Sequence, residues 1–132
     1  MHVAAVQYEI AWEDMDRNHD HVRDLLTTAQ LPPHTFVVHP EFCDTGFSFN
    51  LDAIAQDDDL AWARHLARDL ELWLQVGYAT RGGEDDRGFN CAGILSPTGE
   101  TVGTYRKIHP FSFGKEHRVF SGGSTVVIRP IG

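Results

Sequence analysis

Two short apolar runs, Val3 to Tyr8 and Thr35 to His39, bracket a stretch whose apolar residues recur with a helical period. That alternation commits the chain to a sheet with helices layered on it. Met15, Val22, Leu25, Leu26 and Ala29 fall on one face at steps of three, four and seven, while Asp16, Arg17, Asp20, Arg23 and Asp24 take the other. Pro32 and Pro33 close the helix. Val3 to Tyr8 is apolar enough for a strand buried on both faces. Pro40, which has no N–H to give a central ladder, stops the second run.

The pattern continues in the same sense. Asp57, Asp58 and Asp59 stand where a helix N-terminus favours negative charge and an Asx cap, ahead of Leu60, Ala63, Ala67 and Leu70 on a second amphipathic face. Trp73 to Ala79 and Phe89 to Leu95 read as strands, separated by the polar loop Arg81 to Gly88. Ser96-Pro97-Thr98-Gly99 has the residues of a type I turn, and Thr101 to Tyr105 is the hairpin partner it delivers. From Arg106 to Gly123 no period survives, and a long ordered loop is expected, a kind of segment that often carries function. Thr125 to Arg129 is expected to be a final strand. The order β-α-β-α-β-β-β predicts an α/β fold built on a mixed sheet, with no repeat, linker or second domain.

Composition narrows the function. The 132 residues are 42% apolar and 11% aromatic, enough for a real core. A net charge of -8 with scattered basic residues excludes a phosphate-tracking surface, so nucleic acid is not an expected partner. No run approaches a membrane span, and the first residues do not make a secretory signal, so no membrane partner is expected. Cys43 and Cys91 are too few for a disulfide framework, which makes a reducing cytoplasm the expected compartment.

Two segments carry residues suited to chemistry. The run Val37-Val38-His39-Pro40-Glu41 delivers a carboxylate to the C-terminal end of a strand, where ligands usually bind in α/β sheets. Beside apolar residues such a carboxylate loses solvation, a condition for a general base. Gly103 to Phe111 likewise ends a strand on Lys107, ahead of a loop that carries aromatics and Glu116. An ammonium there is able to stabilise a developing oxyanion. Taken singly, each segment reads more simply as a solvated acid or a paired surface cation.

Together they read differently. Pro-Glu-Phe-x-x-Thr-Gly-Phe-Ser, from Pro40 to Ser48, followed by Tyr-Arg-Lys-Ile-His-Pro-Phe, from Tyr105 to Phe111, resembles the nitrilase or carbon–nitrogen hydrolase superfamily. The start Val3-Ala4-Ala5-Val6-Gln7, Asn90 in a Phe-Asn strand and Glu116 in the loop extend the resemblance over nearly the whole chain. Thr-Gly-Phe-Ser and the spacing from Lys107 to Glu116 look closest to the omega-amidase-like branch.

The resemblance implies an α-β-β-α sandwich and a Glu-Lys-Cys thiol hydrolase acting on the C–N bond of a small linear amide. An omega-amide is the expected example, and ammonia is released. By it Glu41 is the general base, Lys107 stabilises the tetrahedral intermediate and Glu116 orients Lys107 or the substrate. It implies no metal and no organic cofactor, a small amide as partner, and a homo-oligomer in the full-length form.

The family's nucleophile lies in a Cys-Tyr-Asp-like turn one hairpin past the strand expected at Thr125 to Arg129. The resemblance therefore implies that residues 1–132 are the N-terminal part of a single domain, an incomplete sandwich without the nucleophile. Cys43 lies two positions after Glu41 and in extended backbone would share its direction, but the family places its thiol on another strand. Cys91 sits in an apolar strand pattern and reads as a buried structural thiol. His39 replaces the aliphatic residue usual before Pro-Glu, and nothing in the sequence accounts for it.

The rival chemistries are thin. His39, Glu41 and Cys43 alternate like metal ligands, yet the Pro-Cys-x-x-Cys that completes a zinc deaminase site is missing. Gly114-Lys115 lacks the upstream Gly and the following Ser or Thr of a phosphate loop. The serious alternative is a catalytically silent fragment or a split-protein module completed by a partner chain. On either account the 132 residues alone are expected not to hydrolyse amides, and an uncovered apolar face and strand edges are expected to make them self-associate.

Overall fold

A computed structural model describes residues 1–57 and 59–132. One five-stranded sheet organises them, with its strands in chain order. These are β1 (Val3–Ala5), β2 (Phe36–Val38), β3 (Trp73–Thr80), β4 (Phe89–Leu95) and β5 (Thr101–Arg106). β1, β2 and β3 run parallel, with Val3 beside Phe36 and Phe36 beside Trp73. β3, β4 and β5 run antiparallel, with Gly77 beside Ala92 and Ala92 beside Tyr105. Parallel neighbours need crossovers, and these hold α1 (Met15–Ala29), then α2 (Leu51–Ile54) and α3 (Ala61–Asp69). The α/β mixed sheet expected from the sequence is therefore the observed architecture.

One face of the sheet carries the core. Val37, Leu74, Val76, Tyr78, Cys91 and Leu95 meet Val22 and Leu26 of α1 and Ala63, Leu66 and Ala67 of α3, all essentially without solvent contact. Burying a side chain of the size of Val22 or Leu26 contributes roughly 1.5–3 kcal/mol. On the opposite face Trp73, Gln75, Ala92, Ile94 and Tyr105 are only half-buried. A smaller cluster of Phe42, Ile54, Ala79 and Phe120 packs at the end of the sheet where β2 finishes.

Several expectations need correcting. β1 and β2 are shorter than the apolar runs that announce them, and the four residues of α2 carry no amphipathic signal. In α1 the buried positions are Asn18, Val22 and Leu26, while Leu25 is 36% exposed and Ala29 faces solvent. Asn18 holds its place because its amide bonds Ala11 through both N–H and C=O, and donates to Asp44 O at 2.7 Å. Among the described residues, Asp57 and Asp59 do not cap α3. Leu60 is the N-cap, in the left-handed region and without a side-chain bond, while Asp59 pairs with Arg64 at 2.6 Å. Asp58 lies outside the described residues. The turn after β4 closes as expected, with Gly99 N donating to Ser96 O at 2.9 Å and Gly99 at φ +79.

The expected last strand is absent. Residues 125–129 make no ladder among the described residues, and Val126 and Ile128 are 72% and 82% exposed. The segment is held instead by the Arg129 side chain, whose Nε donates to Val102 O at 2.7 Å. An alternating apolar pattern makes a strand only where a neighbouring edge offers backbone partners. No helix among the described residues is long and apolar enough to cross a membrane.

Candidate active site

The end of β2 feeds a tight turn that is pinned to β3. His39 N donates to Gln75 O at 3.1 Å and Cys43 N donates to Gly77 O at 3.0 Å, so Pro40 to Phe42 lie flat against Gly77. Glycine is required there, since a Cβ on Gly77 would stand 2.5 Å from Pro40 O and 2.8 Å from Glu41 Cα. Phe42 then turns with φ +48. That one residue breaks the extended alternation, sending Cys43 into the helical core and leaving Glu41 at the sheet's end.

Lys107 arrives from the other edge. It follows β5, and its main chain is fixed on both sides: N–H donates to Asn90 O at 2.8 Å and C=O accepts from Gly123 N at 2.8 Å. Its ammonium donates to both carboxylate oxygens of Glu41, 66 positions earlier, at 3.1 Å each. It donates also to Glu116 Oε2 at 3.1 Å. An ammonium has three protons to give, and the two acids account for them.

Glu116 sits on a 3-10 turn, Glu116–Arg118, and its side chain is wholly buried. A buried carboxylate is costly unless it is bonded. Here Oε2 accepts from Phe111 N at 2.5 Å as well as from Lys107, and Oε1 accepts from Asn90 Nδ2 at 2.8 Å. Burial alone would lift the Glu116 carboxyl, but hydrogen bonds from Asn90, Phe111 and Lys107 outweigh it and hold the group below its usual range. Burial likewise pulls Lys107 down, and its bonds to Glu116 and Glu41 carry it above the ordinary lysine value. At neutral pH the pair is therefore charged.

Glu41 is not the desolvated acid that its apolar neighbours suggested. Its side chain is 50% exposed, and it is bonded to Lys107 and to Asn90 Nδ2 at 2.9 Å. Asn90, itself 4% exposed, thus touches both acids. The ring of Phe47 lies 5.9 Å from the Lys107 ammonium.

A cavity of about 210 Å³ opens beside Glu41 and Lys107, bordered also by His39, Gln75, Cys91 and Tyr105. His39 is the residue without a sequence account, and the fold supplies one. Its Nδ1 faces Gln75 O at 2.8 Å and therefore carries the proton, while Nε2 is buried without a partner among the described residues. Burial pulls its pKa down to about 4, so the ring is neutral in the fold. An unfolded histidine titrates near 6.5 and binds more protons than the folded one between those values, so the chain loses stability as pH falls from about 6.5 to about 4. At about 1.4 kcal/mol per pH unit the loss is on the order of 3 kcal/mol, and His39→Leu is expected to remove most of it. Urea midpoints across that range decide the point, and parallel pH curves for the two proteins would refute it.

Both cysteines lie deep. Cys43 is 1% exposed, and burial pushes its thiol well above the ordinary range. Tyr8 donates its hydroxyl to the Cys43 carbonyl. Cys91 is 2% exposed, with Thr80 Oγ1 at 3.6 Å from its sulfur. His39, Glu41 and Cys43 do not converge as ligands, and no cluster of three or more candidate metal ligands occurs among the described residues. Sequence reasoning singled out Glu41, Lys107 and Glu116, and the structure brings the three side chains into contact. It missed Gly77, although a lone glycine inside a strand is a recognised sign of close backbone approach.

Comparison with known proteins gives a single direction. The pattern of the carbon-nitrogen hydrolase family matches residues 2–130. A curated nitrilase from Pyrococcus abyssi is 30% identical over 117 residues, covering 83% of this chain and 44% of that protein. Among solved structures, a CN-hydrolase superfamily protein from Xanthomonas campestris superposes with TM-score 0.79 at 28% identity, over 91% of this chain and 45% of the other. A mutant of the amidase from Nesterenkonia sp. AN1, in complex with acrylamide, shares the fold at TM-score 0.76 and 20% identity, over 93% and 48%. The chain spans about half the length of the relatives it matches.

Proposed function

The chain belongs to the carbon-nitrogen hydrolase family, and on that footing we propose that it supplies the acid and amine of an amidase-type thiol hydrolase. The observation that carries this reading is the Lys107 ammonium held between Glu41 and Glu116 at 3.1 Å, at the tips of strands distant in the chain. Glu41, the exposed member, takes the proton of an attacking thiol. The thiolate adds to the amide carbon, and Lys107, released from Glu41 Oε1 once that oxygen carries the thiol proton, donates to the substrate oxygen as it becomes negative. Glu41 returns the proton to the departing nitrogen, so ammonia leaves and a thioester remains. Glu41 then takes a proton from water as the water oxygen attacks the thioester, and returns that proton to the departing thiolate, leaving acid and thiol. Glu116 holds Lys107 in place throughout.

The thiol in this proposal comes from a Cys-Tyr-Asp-like turn outside residues 1–132, which form the N-terminal part of one domain. Its support within the chain is the burial of Cys43, turned away from Glu41 into the helical core. The substrate proposed is a small linear amide, with the omega-amide of a dicarboxylic acid as first choice. The full-length form is proposed to be a homo-oligomer that works in the cytoplasm without a cofactor.

Ammonia release from a short omega-amide tests the reading. The 132 residues alone should release none. The product of a frame continuing past Gly132 through Cys-Tyr-Asp should release it, with Glu41→Gln lowering kcat by about 10²–10⁴. Release by the short chain that disappears in Cys43→Ala would place the nucleophile in the wrong strand here. An unaltered rate in Glu41→Gln would remove the general base.

A further inference from the structure

The two acids around Lys107 are not equally free to accept a proton, and one side chain makes the difference. A carboxylate has about four lone-pair positions, two on each oxygen. On Glu41, Oε2 receives both Lys107 Nζ at 3.1 Å and Asn90 Nδ2 at 2.9 Å, so its positions are filled. Oε1 receives Lys107 alone. On Glu116, Oε1 also keeps an unfilled position, but that side chain has no solvent contact, against 50% exposure for Glu41. Acceptor capacity open to an incoming group is therefore confined to Glu41 Oε1.

We infer that Asn90 is a positioning residue, one amide group that bonds both carboxylates and thereby fixes Glu41 with Oε1 as its working oxygen. The assignment rests on the general-base reading of Glu41 given above. Its geometry is closed. The neighbours of the amide nitrogen are both carboxylate oxygens, which only accept, so the NH₂ must face them and its two protons serve one acid each. The residue cannot drift, because β4 holds its backbone opposite Ala79 and its carbonyl takes the N–H of Lys107 at 2.8 Å. A single sheet position thus sets the main chain of the amine and the side chains of both acids. Without the amide, Glu41 is tethered only through the flexible stem of Lys107, and its half-exposed carboxylate is free to rotate Oε1 away from an incoming thiol.

The test compares the chain with Asn90→Leu, which keeps the branched shape of the side chain and removes both donors, and with Asn90→Ser, whose hydroxyl is too short to span both acids. Methylene carbon relaxation at Glu41 and Glu116 reads the restraint directly. In both variants Glu41 is expected to lose about a third of its order, passing from the rigid towards the flexible range, while Glu116, still bonded to Phe111 and Lys107, changes little. In the protein that releases ammonia, kcat is expected to fall 10-fold or more with KM within about twofold, the pattern of a group that acts on the transition state. A merely structural role would loosen both acids or neither. Unchanged order at Glu41 in whichever variant folds overturns the inference. The relaxation result needs no turnover, so it stands or fails apart from the amidase reading.

Discussion

Lys107→Met is expected to destabilise the chain by about 2–4 kcal/mol at neutral pH. Removing one partner of a buried ion pair generally costs about 3–5 kcal/mol, because a charge is left in a site that cannot solvate it. The lower figure here allows for the 23% exposure of the lysine side chain, while Glu116 opposite it has none. The pH dependence gives the mechanism a sign. Glu116 is held below its usual range in the fold, so the stability it contributes is complete above the unfolded carboxylate value and is lost as pH falls through the folded one. Without Lys107 the folded acid takes up a proton more readily, so the deficit relative to the parent chain shrinks as pH falls through the folded Glu116 value of the variant, which lies above that of the parent. Adding Glu116→Gln to the variant is expected to recover only about half the loss at pH 7, since the amide oxygen still accepts from Phe111 but the amide NH₂ then meets the NH₂ of Asn90. Urea unfolding of the three proteins at pH 7 and pH 4 measures this. A deficit of equal size at both pH values would show that burial of Glu116 is not its origin.

The second large effect comes from a residue with no side chain. Gly77→Ala places a methyl group 2.5 Å from Pro40 O, 2.8 Å from Glu41 Cα and 2.9 Å from Phe42 N. All three are main-chain atoms, so no rotamer change relieves the clash. Either the pairing of β2 with β3 opens, or the turn bearing Glu41 lifts away and strains the bond from Cys43 N to Gly77 O. Overpacking of this kind costs typically 1–3 kcal/mol, and rigid backbone on both sides puts the expected loss at or above the upper end. A displacement of Glu41 by about 1 Å also separates it from Lys107, and in the longer protein proposed to release ammonia misplacement on that scale is expected to lower turnover about 100-fold. Gly93→Ala is the control, because its methyl would meet the movable end of Leu60 at 2.5 Å and its other near neighbours, Tyr78 and Val76, are side chains outside the turn that bears Glu41. If the two substitutions lower the urea midpoint equally and leave Glu41 in place in a crystal structure, the close-approach argument fails.

What the sequence disclosed follows from which physics is local. The helix Met15–Ala29 was legible because its period is written in adjacent turns, and the hairpin at Ser96 to Gly99 because a turn needs only four residues. The buried place of Asn18 was not, since its partner Asp44 lies 26 positions away and a polar residue gives no periodic signal. Residues 125–129 misled for the opposite reason: the strand pattern is present, but the described neighbours complete no ladder with it. The acidic run before α3 suggested a cap, yet the chain enters that helix through Leu60 in a left-handed conformation. At the site, neither Glu41 nor Lys107 was informative singly, and the motif around each made the pair readable across 66 positions. Asn90 was visible as a motif residue, but its bond to both acids depends on the pairing of β4 with β3 and β5, which no local pattern encodes.

The strands stand in the sheet in the order in which they are made. A ribosome therefore releases each one next to a partner already in place, and the sheet grows along one side without waiting for a later insertion. Glu41 leaves the ribosome well before Lys107, and once β3 pins its turn the acid still lacks its counter-charge. Only after β5 docks does Lys107 reach it, so the electrostatic lock closes after the five-stranded sheet is in place. Nascent chains arrested before that strand emerges should already bury the aliphatic side chains under α1 and α3, and lack only the acid–amine latch.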